Sequence, residues 1–207
     1  MQVLKIQERT KNRVDILLDN DFSFVLYKGE VRLYKITEGK EISEASFREI
    51  MENVLPKRAK LRAMNLLKVR PYTVKGLTDK LSEGGYPDSV IKNAIDYVSS
   101  YHYLDDYQYA LDYINTFKDR KSRQRMIQDL IQKGVSKNDI DNALNEEWDD
   151  EAENLEEEQI RKFLIKKKYD AEAFSYEDKM KLLSALVRKG YGVEVCKKVM
   201  KETSYTY

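Results

Sequence analysis

Apolar residues fall in two different rhythms along the chain. Val14, Ile16 and Leu18 alternate with polar neighbours, Asp19-Asn20-Asp21 interrupts them, and Phe22, Phe24 and Leu26 resume the alternation. A period of two on either side of an Asx-rich turn predicts a β-hairpin, because successive strand side chains face opposite sides of a sheet. Val3 to Ile6 reads as a third strand, Lys28-Gly29-Glu30 as another turn, and Val31 to Ile36 as either strand or short helix. A hairpin alone is marginal in water, so this part must pack on something. From Ser43 onward the spacing changes to three and four, the period of a helix with one buried face. Ser43 is expected to cap a helix carrying Phe47, Ile50, Met51, Val54 and Leu55, which Pro56 breaks or restarts. Leu61, Met64, Leu66 and Leu67 continue the pattern to Arg70-Pro71.

Three stretches of the helical part share one template. Leu81, Leu130 and Leu186 open it; Gly85, Gly134 and Gly190 follow four residues on, and Tyr86, Val135 and Tyr191 five on. Ten, thirteen and fourteen residues on come Ile91, Ala94 and Ile95; Ile140, Ala143 and Leu144; and Cys196, Val199 and Met200. The copies lie roughly fifty residues apart, a spacing that marks stacked supersecondary units. The glycine is expected in the left-handed conformation that closes a helix, with a second helix opening after a short turn. Thr73 is expected to cap the helix that Gly84-Gly85 stops, and Pro87 suits the first turn of the next. Ser136 is the expected cap in the middle copy, with Asp139 three residues on, while Gly192 makes a weaker one in the third. One helix pair cannot bury its apolar face alone, so the copies should stack.

Between the copies, Asp105 with Gln108 has the form of a reciprocal cap for a helix carrying Ala110, Leu111, Tyr113, Ile114 and Phe117. Arg123, Met126, Ile127, Leu130 and Ile131 lie on the next helix, and Ile140, Ala143, Leu144 and Trp148 on the one after it. Every charged residue from Glu146 to Glu158 is acidic, and basic residues then dominate through Lys168. This block is the clearest seam in the sequence. It reads as a solvated face or as a segment that repels DNA, and an acid-then-base order suits a helix dipole. Ile160, Phe163, Leu164 and Ile165 give it an apolar face, and Ser175 with Asp178 caps the helix after it.

Charge and chemistry narrow the function. The 207 residues carry a formal net charge of +1, so no global field draws the whole molecule to nucleic acid or membrane. The lone Cys196 rules out an internal disulfide, and no apolar run approaches the roughly 20 residues of a membrane span. A soluble cytoplasmic protein is expected. His102 is the only histidine, so a histidine triad or a conventional zinc site lacks its parts. No phosphate-cradling glycine run occurs, and no cofactor is expected. Cys196 falls where Ile91 and Ile140 fall, as a core residue. Asp105 and Asp106 read as capping residues rather than as a catalytic carboxylate pair. Two basic clusters remain: Lys57, Arg58, Lys60 and Arg62, and then Lys118, Arg120, Lys121, Arg123 and Arg125 with only Asp119 opposing them. Each reads as a solvated helix face or as a binding surface; the second is concentrated at one helix junction. Tyr101, Tyr103, Tyr107, Tyr109 and Tyr113 lie beside it, as core or as contact area.

The repeated unit resembles the RecX regulatory family. So do Tyr103-Leu104-Asp105-Asp106 leading to Tyr109-Ala110, and Arg123-x-Arg125-Met126-Ile127 leading to Lys133-Gly134-Val135. The N-terminal hairpin is similar to an extension that some members carry. Where Arg-Gly often precedes the second helix of the middle unit, this chain has Lys121-Ser122. The resemblance implies a mainly α protein of three tandem three-helix repeats in a curved elongated rod. The expected division is a hairpin extension over 1–42 and repeats over 43–101, 102–153 and 154–207. It also implies a non-enzymatic, monomeric protein that binds the RecA–DNA filament. Members inhibit strand exchange, ATP hydrolysis and co-protease activity. The two basic clusters are then the expected contacts to filament or DNA, with weak binding to single-stranded or duplex DNA alone. The alternative from the residues themselves is a tandem helix-turn-helix-like DNA-binding protein, since short helices joined by glycine turns suit that fold as well.

Overall fold

A computed structural model describes residues 1–147 and 151–203, without the side chains of 151–153. Trp148, Asp149 and Asp150 lie outside the described residues. The chain divides into two compact units, Met1–Asp105 and Asp106–Tyr207.

The first unit opens with an antiparallel sheet in the order β1 (Val3–Thr10), β2 (Arg13–Leu18), β3 (Ser23–Tyr27). The third strand expected at Val3–Ile6 runs on to Thr10, and the extension is a three-stranded meander. Register explains the alternation: Ile16 pairs with Ile6 on one side and Phe24 on the other, and Val14 pairs with Leu26. Val14, Ile16, Leu18, Phe24 and Leu26 are all buried. Lys28 to Glu30 does not form a separate turn. It opens helix α1 (Lys28–Leu33), because the Tyr27 N–H donates to Glu30 Oε2 at 2.8 Å and caps the first turn. Lys35 closes that helix at φ 53°.

Ser43 caps α2 (Glu44–Glu49), whose first turn donates from Ser46 N to Ser43 Oγ at 3.1 Å. Of the two outcomes expected at Pro56, the helix restarts there rather than breaking off. A π-helical turn, Ile50–Val54, leads directly into α3 (Leu55–Leu67), and the Leu55 N–H bonds back to the Ile50 carbonyl. The wider turn makes room for the proline ring and leaves its missing N–H without consequence. Thr73 caps α4 (Val74–Ser82) through Gly76 N at 3.0 Å. In α5 (Asp88–Ser100), Pro87 stands one residue earlier than expected, at the cap itself. Helix α3 packs on α5 and α4, with Ala59, Ala63, Leu77, Leu81 and Ala94 fully buried.

The second unit holds α6 (Asp106–Phe117), α7 (Arg123–Gln132), α8 (Lys137–Glu147), α9 (Glu151–Lys166), α10 (Tyr176–Arg188) and α11 (Val193–Glu202). Helix α6 starts one residue after Asp105, which places that residue at the cap. Ser136 and Ser175 accept from Asp139 N and Asp178 N at 3.1 and 3.2 Å. Met126, Leu130, Ile140, Ala143 and Leu144 fill one core; Ile160, Leu164, Leu186, Cys196 and Val199 fill the next.

The glycine template recurs in space. Gly85, Gly134 and Gly190 have φ of 80°, 86° and 92°. Each ends its helix with the same pair of bonds. The glycine N–H reaches Ser82, Ile131 or Val187, and the next N–H reaches the template leucine, Leu81, Leu130 or Leu186. That is the Schellman closure, for which a side chain is a steric burden. Ile91, Ile140 and Cys196 are all buried at the matching position of the helix after the turn.

Candidate partner-binding surface

The second basic cluster surrounds the junction of α6 and α7, where intramolecular bonds claim several of its cations. Lys121 Nζ donates to Tyr113 OH at 2.6 Å and Asp129 Oδ2 at 2.8 Å, and lies over the Phe117 ring at 4.3 Å. Tyr113 OH donates to the same carboxylate at 2.8 Å, and Arg125 Nε reaches its other oxygen at 3.1 Å. Burial works against charge on Asp129, but the bonds from Lys121 and Tyr113 and the charges of Lys121 and Arg125 outweigh it. The Asp129 carboxyl therefore titrates below its ordinary value. Burial likewise opposes the Lys121 ammonium, and its bonds to Asp129 and Tyr113 hold the group above the usual lysine value. Lys118 pairs with Glu147 at 3.2 Å. Arg120 and Arg123 differ from these three. Both are exposed, and neither guanidinium forms an ion pair among the described residues.

The same junction is the seam between the two three-helix halves of this unit. Ser122 caps α7 through Arg125 N at 3.2 Å and also donates its hydroxyl to the Lys189 carbonyl at 2.8 Å. Gln159, buried on α9, donates to the Lys118 carbonyl at 2.6 Å and accepts from Tyr191 OH at 2.8 Å. The Arg123 N–H donates to Glu156 at 2.8 Å. A methyl on Gly190 would stand 2.5 Å from Ser122 Oγ, so the glycine lets the halves close. Ser122→Ala should lower this unit's stability by about 2 kcal/mol, read by urea unfolding, since it removes a helix cap and a seam bond together. A glycine at this position would make neither contact.

In the first cluster, Arg58 is tied down. It pairs with Glu30, donates to the Val25 carbonyl at 3.3 Å and lies over the Tyr27 ring at 4.6 Å. Lys60 lies over Tyr97 at 4.9 Å. Lys57 and Arg62 are exposed. Arg58 and Arg62 line a cleft of about 780 Å³ with Arg13, Tyr27, Tyr72 and Tyr86. Sequence reading missed those last four, because they are scattered over two strands and two loops. The tyrosines that neighbour the second cluster in sequence divide: in the second unit Tyr113 is buried and Tyr107 and Tyr109 pack half-buried on the core, while in the first unit Tyr101 stacks openly on Tyr103 at 6.0 Å.

Cys196 is fully buried, and burial pushes its thiol up to about 11, away from the reactive thiolate. His102 is exposed in a turn at φ 56°. Among the described residues no group of three His, Cys, Asp or Glu is placed to hold a metal ion. Among them, no helix is long and apolar enough to cross a membrane.

Comparison with known proteins gives these surfaces a setting. Residues 59–97 match the family model described as RecX, first three-helix domain, and residues 105–144 match RecX, second three-helix domain. The regulatory protein RecX of Clostridium botulinum (strain Alaska E43) is 31% identical over 207 residues, covering 96% of this chain and 93% of that protein. The Clostridioides difficile (strain 630) protein of the same name is 29% identical over 201 residues, covering 94% and 91%. A crystal structure of regulatory protein RecX superposes with a TM-score of 0.64 at 22% identity, covering 98% of this chain and 99% of that one. A crystal structure of RecX from Lactobacillus salivarius gives 0.59 at 21%, over 72% and 96%.

Proposed function

The chain belongs to the RecX family of regulatory proteins, and on that premise we propose that it modulates the RecA filament by binding, without catalysis. In this reading it acts in the cytoplasm as a monomer, needs no cofactor and contacts DNA weakly on its own. The observation that supports a binding role at the α6–α7 junction is the division of labour among its cations. Lys118, Lys121 and Arg125 hold the unit together. Arg120 and Arg123 stand exposed, and neither guanidinium forms an ion pair among the described residues. An exposed guanidinium with its fork of five donors suits a carboxylate or phosphate on a partner.

The test is RecA ATPase on single-stranded DNA with added protein. Inhibition is expected at stoichiometric levels, and its absence overturns the reading. Arg120→Glu with Arg123→Glu should weaken co-sedimentation with RecA–DNA filaments at least about tenfold, because each reversal replaces a charge-assisted contact by repulsion. Helicity should stay unchanged. Tight, salt-steep binding to duplex DNA without RecA would instead favour the DNA-binding alternative.

A further inference from the structure

The cleft of the first unit is lined mainly by arginines and tyrosines. Its walls come from elements far apart in sequence. Arg13 projects from β2, Tyr27 ends β3, Arg58, Leu61 and Arg62 come from α3, and Tyr72 and Tyr86 come from the loops either side of α4. Glu83 is the one acid in the lining, and it is taken by Lys80 at 2.6 Å. Arg58 keeps its partner Glu30. Arg13 and Arg62 have no ion-pair partner among the described residues. Burial pushes the Tyr86 phenol up, while the charges of Arg58, Arg13 and Arg62 pull against it, so three guanidiniums act on one hydroxyl.

Like charges gathered round one point repel unless an anion joins them. A guanidinium fork matches phosphate oxygens in pairs. The remaining lining is mixed: Asn65 and Lys80 are polar, Leu66 and Leu61 (63% exposed at the rim) are apolar, and the rings of Tyr27, Tyr72 and Tyr86 complete it, the first two with the guanidiniums of Arg58 and Arg70 over them at 4.6 Å. Rings beside arginines in this way suit a planar base, since every base offers a face for stacking. A volume of about 780 Å³ falls within the range of small-ligand sites. We propose that this cleft binds a nucleotide unit, with its phosphate between Arg13 and Arg62 and its base against the tyrosine rings. The unit comes either from a free nucleotide or from a single strand, which offer the same chemistry.

The experiment is isothermal titration of the full chain, without RecA, using dTMP, ATP, a short oligothymidylate and inorganic phosphate. Binding of dTMP or ATP assigns the site to free nucleotides, and binding of the oligothymidylate alone assigns it to a strand. Either supports the proposal when Arg13→Gln with Arg62→Gln weakens it at least about tenfold with an unchanged circular dichroism spectrum. Arg62→Gln alone, at an exposed position, serves if the double variant misfolds. Tyr72→Leu should weaken the nucleotides more than inorganic phosphate. No binding by any of the three nucleotide probes overturns the proposal. So does binding that the Arg13 and Arg62 variants retain. RecA is absent throughout, so a failure here is distinct from a failure of the filament reading.

Discussion

Gly85→Ala is expected to lower the stability of the first unit by about 3 kcal/mol, the sum of a backbone and a packing penalty. Gly85 sits at φ 80°, where a side chain strains the backbone by about 1–2 kcal/mol. The new methyl would also overlap Val25 Cγ2 and stand 2.8 Å from an Arg9 nitrogen. Val25 is buried on a strand with regular pairing, so it cannot retreat without disturbing β3. Arg9 could move, but it would give up its 2.6 Å bond to the Glu83 carbonyl. Gly39→Ala is the control. Gly39 has φ 75° but open space around it, so only the strain applies, about 1 kcal/mol. Hydrogen exchange at β3 and α4 should accelerate far more in the first variant than in the second. Equal acceleration would mean that the sheet and the α4–α5 turn are not locked together.

That lock shows where sequence reading succeeds and where it stops. The fixed offset from leucine to glycine to apolar face was visible because a Schellman closure is local chemistry, written within six residues. Ser43, Thr73, Ser136 and Ser175 were legible as caps for the same reason. Lys28-Gly29-Glu30 misled because glycine usually signals a turn. Here the deciding interactions are the cap from Glu30 to Tyr27 N and the pairing of Glu30 with Arg58, which lies far along the chain on α3. Pro56 was legible as a place where the helix restarts, since α3 opens with the proline in its first turn, but the π-turn that leads into it is not encoded by any single residue.

The charged runs were legible as composition and opaque as geometry. The acidic stretch reads as solvated, yet Glu147 meets Lys118, Glu156 caps Arg123 N, and Glu157 meets Lys198 at 2.7 Å and Arg161 at 3.0 Å. Acid and base runs distant in sequence are therefore partly each other's counter-ions. A basic cluster cannot be divided into structural and free members until its partners are placed, because the partners lie on other helices. Arg13 carried no signal, and Tyr86 was legible only as a member of the glycine template, not as a cleft residue. Their meeting depends on how the meander docks on α3 and the α4–α5 turn.

Asp129→Asn should destabilise the second unit by about 2 kcal/mol at neutral pH, because it breaks one side of a partnered charge cluster. The full penalty of a deeply buried ion is not expected, since Lys121 and Arg125 keep 30% and 51% of their side-chain exposure and can rehydrate. Proton linkage gives a sharper test than the size of the loss. The Asp129 carboxyl titrates lower when folded than when unfolded, so its contribution is fully present above the ordinary aspartate value near 3.9. It is lost as pH falls through the lower, folded value. Lys121 is held above the ordinary lysine value, so its contribution persists through neutral pH and is lost only as pH rises through that raised value. The gap between wild type and Asp129→Asn should therefore stay flat across neutral pH and close on strong acidification. Urea unfolding across an acid series measures it. A gap that persists when the wild-type carboxyl is protonated would show that the amide donors of Asn facing Lys121 and Tyr113, not the lost charge, cause the destabilisation.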